Sequence, residues 1–111
     1  MNGFFFKIHN ELGRFCQEQQ YADAFETTLL KENFNFLREK KINKLFLGEK
    51  INFGIPDFII ENRIVVDFKA KKFITKDDYF QMMRYLKSKN FKLGLIVNFR
   101  NTYLKPKRIV N

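Results

Sequence analysis

The stretch Gly54–Ala70, GIPDFIIENRIVVDFKA, reads as two apolar strands around a short turn, and each strand carries an aspartate where a core residue is expected. The second of them, RIVVDFKA, is apolar on both faces apart from Asp67 and Lys69, which marks it as interior to a sheet. Pro56 implies a bend or bulge in the strand before it. Two carboxylates about 4 Å apart repel by about 4 kcal/mol at an effective dielectric near 20, before any cost of leaving water. A sheet built only for stability avoids that arrangement. Asp57 and Asp67 make sense if a cation sits between them, and a hard divalent ion such as Mg²⁺ takes a few carboxylate oxygens while keeping several waters. Lys69, two residues after Asp67, points to the same face, where its ammonium can orient a water or steady a developing phosphate charge. Metal, water and lysine together suit hydrolysis of a phosphodiester.

The arrangement depends on register. A two-residue turn at Glu61 and Asn62 pairs Asp57 with Val66 and sends the carboxylates to opposite faces. A three-residue loop through Glu61, Asn62 and Arg63, with Asn62 or a neighbour left-handed, pairs Asp57 with Asp67; a bulge at Pro56 is the other remedy.

Working outward, TKDDYFQMMRYLKSKN is the clearest helix. Thr75 and Asp78 make its capping box, Tyr79, Met82, Met83 and Leu86 are expected inward, and Asn90 ends it. FKLGLIVNF follows as a buried strand. At the other end FFFKIHNELG suggests a short amphipathic helix stopping at Gly13. FCQEQQYADAFETTLLKEN suggests a longer one with Phe15, Cys16, Ala22, Phe25 and Leu29 on one face, and with Glu18, Tyr21 and Phe25 in one stripe. From Phe34 through FNFLREKKINKLFL the pattern is extended, GEK makes a turn, and INFGIPDFII resumes as a strand. The basic tail RNTYLKPKRIVN has no clear pattern. The order is helix, three strands, helix, strand, and it predicts a single α/β or α+β domain over residues 1–111, with a mixed central sheet flanked by helices.

With 15 Phe, 4 Tyr and no Trp, the core is expected to rest on phenylalanine packing. Residues 69–111 hold 12 basic and 2 acidic side chains, whereas residues 1–68 hold 9 and 10. That asymmetry suits a polyanion, with nucleic acid the foremost candidate, or else a merely solvated lysine-rich surface. Lys71 and Lys72 can hold phosphates or form a solvated turn. Cys16 is the only cysteine, so no intrachain disulfide and no cysteine-based zinc site can form, and a reduced, cytoplasmic setting fits. No signal peptide and no membrane-length apolar run stands out. His9 reads as structural.

The pattern of Pro56 and Asp57, nine residues, then Asp67, Phe68 and Lys69 resembles the PD-(D/E)xK nuclease superfamily. That resemblance implies a restriction-endonuclease-like core in the order α-β-β-β-α-β. HNELGRFCQEQQY, PDFIIENRIVVDFKA, QMMRYL and GLIVNF together look like the small bacterial GxxExxY family within it, over nearly the whole chain. Phe15 stands where that family has its glycine, and Asp67 where glutamate is commoner. The resemblance implies Asp57 and Asp67 as metal ligands joined by Glu18, Lys69 as the catalytic lysine, and Mg²⁺ or Mn²⁺ as cofactor. Gln81 and Tyr85 match the QxxxY pattern of RecB-like members, which implies contact with a nucleic-acid strand or with the lysine. The expectation is a metal-dependent nuclease acting on DNA in preference to RNA. The alternative is an inactive nucleic-acid-binding or protein-interaction module on the same fold.

Overall fold

The computed structural model describes residues 1–39 and 55–111 of the protein. Helix α1 (Asn2–Leu12) buries Phe5 and Ile8, one helical turn apart, and stops at Gly13, whose φ of 80° suits a residue with no Cβ. Helix α2 (Glu18–Lys31) starts later than its sequence suggests. Gln17 is extended, and its N–H donates to Gln20 Oε1 at 2.8 Å, so the helix begins at Glu18 and leaves Phe15 and Cys16 in the preceding turn. Tyr21 pins that turn: its hydroxyl donates to Gly13 O at 2.5 Å and accepts from the Cys16 N–H at 3.2 Å.

Among the described residues, five strands form one sheet in the spatial order β1 (Phe36–Leu37), β2 (Phe58–Ile60), β3 (Ile64–Lys69), β4 (Leu93–Asn98) and β5 (Lys107–Val110). The β3–β4 pair is parallel and the other three are antiparallel. Helix α3 (Lys76–Lys89) makes the crossover between the parallel strands, and β3 is central, as its two-faced apolar pattern predicts. The sheet is therefore mixed and flanked by helices, in the α/β class of a restriction-endonuclease-like fold. The basic tail supplies an unexpected fifth strand, in which Ile109 alone is buried. The extended reading from Phe34 holds at β1 but not at Glu39, which is helical, and its remainder over residues 40–54 lies outside the described residues. No helix among the described residues is long and apolar enough to cross a membrane.

Side-chain alternation along the strands divides the core into two layers. Phe58, Val66, Phe68, Leu95 and Val97 meet α1 and α2, while Ile59, Val65 and Ile96 meet Met82 and Leu86 of α3. The first layer is phenylalanine-rich as expected. Phe5, Phe25, Phe58, Phe68 and Phe99 form a chain of ring contacts with centroids 5.0–5.8 Å apart, mostly edge to face. Such pairs add about 0.5–1.5 kcal/mol each beyond the area they bury. In the second layer Gly94 lets α3 close on β4, because a Cβ there would lie 2.6 Å from Met82 Sδ.

Candidate functional site

Loop Glu61–Arg63 sets the register of the β2–β3 hairpin. Glu61 and Asn62 take φ of 53° and 52°, and the Arg63 N–H returns to Ile60 O at 3.0 Å. This is the three-residue loop that the sequence offers as one of its two remedies. Phe58 consequently faces Val66, Ile59 faces Val65 and Ile60 faces Ile64. Asp57, one residue before β2, does not continue this register: its N–H bonds the carbonyl of Val66, the residue that Phe58 faces, so Asp57 and Phe58 share one partner as in a bulge. By the same alternation Asp67 and Lys69 follow Val65 on the α3 face of the sheet.

Asp57 is buried, and both its backbone and its side chain are engaged with β3. Its N–H donates to Val66 O at 3.1 Å, and its Oδ2 accepts the Phe68 N–H at 2.7 Å. The carboxylate is therefore fixed against the strand that carries Asp67 and Lys69. Lys69 Nζ lies 2.9 Å from Asp67 Oδ2 and 3.8 Å from Asp78 Oδ1, and all three side chains are at least 85% buried. Removing one partner of such a buried pair typically costs about 3–5 kcal/mol, because the other charge is left buried and uncompensated.

Asp78 extends the array onto α3. Its Oδ2 accepts from Lys71 Nζ at 2.5 Å, from the Thr75 N–H at 2.8 Å and from Thr75 Oγ1 at 3.1 Å. Burial alone would raise its pKa, but the Lys71 and Thr75 hydrogen bonds and the Lys69 charge together hold it below the ordinary carboxylate range. Asp78 is thus both the capping-box residue of the sequence reading and a member of the charge array, and only the first role is visible in the sequence. Asn98, at the end of β4, is a second buried polar residue that the sequence reading passes over. Its Nδ2 donates to Lys71 O at 2.7 Å and its Oδ1 accepts the Lys71 N–H at 3.2 Å, which fixes the chain where it leaves β3. A polar residue ending the apolar run GLIVN is the signal that points to it.

Of the other expected residues, Lys71 joins this array through Asp78. Glu18 is the first residue of α2, and the described residues contain no group of three or more His, Cys, Asp or Glu placed to hold a metal ion. Gln81 and Tyr85 share a helical stripe with Asp78, but Tyr85 reaches a different partner, donating to Glu39 Oε2 at 2.8 Å while stacking parallel to Phe91. Burial, then that hydrogen bond and the Glu39 charge, push the Tyr85 hydroxyl well above its usual pKa. Lys71 is partly buried on Asp78, whereas Lys72 is exposed, with its ammonium 5.6 Å from the Phe73 ring. Tyr79, expected inward, is 37% exposed, because Asp78 occupies the buried position beside it. His9 Nε2 donates to Asn101 O at 2.9 Å, which ties α1 to the turn after β4 and agrees with a structural role.

Every element of this array lies at one end of the sheet: the start of β2, the ends of β3 and β4, and the N-terminus of α3. Against this geometry, a family model of the PD-(D/E)XK nuclease superfamily matches residues 1–109. The chain belongs to that superfamily. Comparison with curated proteins and with solved structures gives no significant match. PD-(D/E)XK membership supports phosphodiester hydrolysis on a nucleic-acid substrate, and nucleases of this superfamily typically use divalent metals. Asp57, bonded to both chain neighbours of Asp67, and Asp67 itself offer the hard carboxylate oxygens that such an ion prefers, so the donor set fits a divalent cation.

Proposed function

We propose that the protein is a Mg²⁺- or Mn²⁺-dependent nuclease that cleaves DNA in preference to RNA, of the small bacterial GxxExxY type and acting in the cytoplasm. Asp57 and Asp67 would hold the metal, with Glu18 as the third carboxylate. When bound, the ion would lower the pKa of a coordinated water and offset phosphate charge. The chain's own residues do the rest. Asp57 is oriented by the Phe68 N–H, and Lys69 is the catalytic lysine, donating to the phosphate or to the attacking water. Lys71 and Lys72 line the exit of β3 toward the substrate backbone, and Gln81 and Tyr85 extend the contact along α3. The observation that carries this reading is that Asp57 is hydrogen-bonded to Val66 and Phe68, the two neighbours of Asp67 on β3, with Lys69 paired to Asp67, in a chain of this superfamily.

One observation favours the alternative of an inactive binding or interaction module: Lys69 Nζ sits on Asp67 Oδ2, so the lysine already balances a carboxylate that the metal needs. Pure protein incubated with labelled single- and double-stranded DNA and RNA in Mg²⁺, Mn²⁺ or EDTA separates the two. Metal-dependent cleavage that Asp67→Asn abolishes supports the nuclease. Binding without cleavage under any metal supports the module.

A further inference from the structure

The turn between α1 and α2 holds Phe15 outward with 74% of its surface exposed, at the end of the sheet where Asp57, Asp67 and Lys69 lie. Two guanidinium groups lie close to its ring, Arg14 at 4.9 Å and Arg100 at 5.3 Å from the centroid. The arginines brace each other through backbone carbonyls. Arg14 Nε donates to Arg100 O at 2.8 Å, and Arg100 Nε donates to Arg14 O at 3.0 Å. Arg100 also donates to Ala70 O at 3.3 Å, one residue beyond Lys69. No carboxylate pairs with either guanidinium among the described residues.

Two cations held side by side, with no counter-charge among the described residues, create a local potential that an anion relieves. Arginine's planar donors match phosphate oxygens, and an exposed aromatic ring beside them offers a face on which a base can stack. A duplex presents phosphates but keeps its base faces stacked inside, whereas an unpaired strand offers both. From this we infer that Arg14, Phe15 and Arg100 form a docking platform for single-stranded nucleic acid, with a base on the Phe15 ring and neighbouring phosphates on the two arginines. The inference rests on the nuclease reading for its purpose, which is to deliver an unpaired strand to the carboxylates.

The chain contains no tryptophan, so Phe15→Trp installs a single fluorescent reporter at the platform. In EDTA, where cleavage is blocked, its emission is expected to be quenched by a single-stranded DNA oligonucleotide and not by an abasic strand of equal length. Phe15→Ala is expected to weaken single-strand binding by about 10-fold or more and to leave duplex binding unchanged. Equal quenching by the abasic strand, or single-strand affinity in Phe15→Ala equal to wild type, overturns the platform. Cleavage measured in parallel keeps the two readings apart. Metal-dependent turnover with unaltered Phe15 readouts removes the platform and leaves the nuclease. Phe15-dependent binding with no turnover under any metal upholds the platform and removes the nuclease.

Discussion

Lys69 and Asp78 face each other across the gap between sheet and helix, with Nζ 3.8 Å from Oδ1, and Lys69 also bonds Asp67 within its own strand. The lysine thus belongs to both elements. Its charge offsets the carboxylate repulsion that would otherwise strain a metal-free hairpin.

Metal linkage separates ligand from lysine. With about 10 mM Mg²⁺ and a dissociation constant near 1 mM, the wild type is expected to gain about 1.4 kcal/mol, a melting shift of several degrees for a domain of this size. Asp67→Asn should lose most of that shift together with cleavage, whereas Lys69→Ala should keep the shift and lose cleavage. Calorimetry with and without Mg²⁺, paired with a cleavage assay, checks this. A wild-type transition that Mg²⁺ never moves would count against Asp57 and Asp67 as ligands.

Acid should loosen the array through Asp78. Its folded pKa is depressed, so the unfolded chain binds more protons at acid pH. The resulting stability is present above the unfolded value near pH 4 and is lost as pH falls through the folded one. Asp78→Asn should flatten the acid limb of a plot of urea midpoint against pH, and should lower stability at neutral pH by about 3 kcal/mol, because it removes the charge that Lys71 and Lys69 pair with and weakens the cap. An acid limb of unchanged slope would remove Asp78 from the array.

Salt dependence should distinguish the two neighbouring lysines. Lys71 is committed to Asp78, while Lys72 is exposed. Lys72→Ala should reduce the slope of log K against log salt for DNA binding by about one unit. Lys71→Ala is expected to act mainly on stability, by removing the partner of a buried carboxylate. Affinity titrations at several salt concentrations, alongside thermal melts, test the division.

Gly94 sets how closely α3 approaches the sheet. Gly94→Val should destabilise by about 1–3 kcal/mol through overpacking against Met82 and Leu86. Gly94→Ala should cost less, because Met82 is flexible enough to yield. Denaturant midpoints of the two variants, compared with wild type, give the order.

The pairing of Asp67 with Lys69 was legible in the sequence because a strand has period two, and the approach of Asp57 to β3 because a hairpin has only a few loop geometries. Gly13 and the Thr75–Asp78 box were legible for a similar reason: both are local backbone chemistry. Phe15 was misread as part of a buried helical face, since an apolar residue three before Glu18 fits the helical period, and only the Gln17–Gln20 cap shows that the helix starts later. Strand β5 was missed because it buries one residue of four and carries Lys107 and Arg108, so no alternation rises above its charge. The second role of Asp78 is a tertiary property, set by α3 lying across β3.

The Glu61–Arg63 loop also governs where this chain can change length over its descent. All three residues are exposed, and the loop closes on the Ile60–Ile64 pair, so an insertion or deletion confined to it can be absorbed by another turn type while the strands keep their partners. A single added or lost residue anywhere in 58–60 or 64–66 would instead carry one carboxylate to the opposite face of the sheet. Length variation between Asp57 and Asp67 is therefore expected to be confined to the loop, with the strand segments on either side conserved in length even where their apolar residues drift.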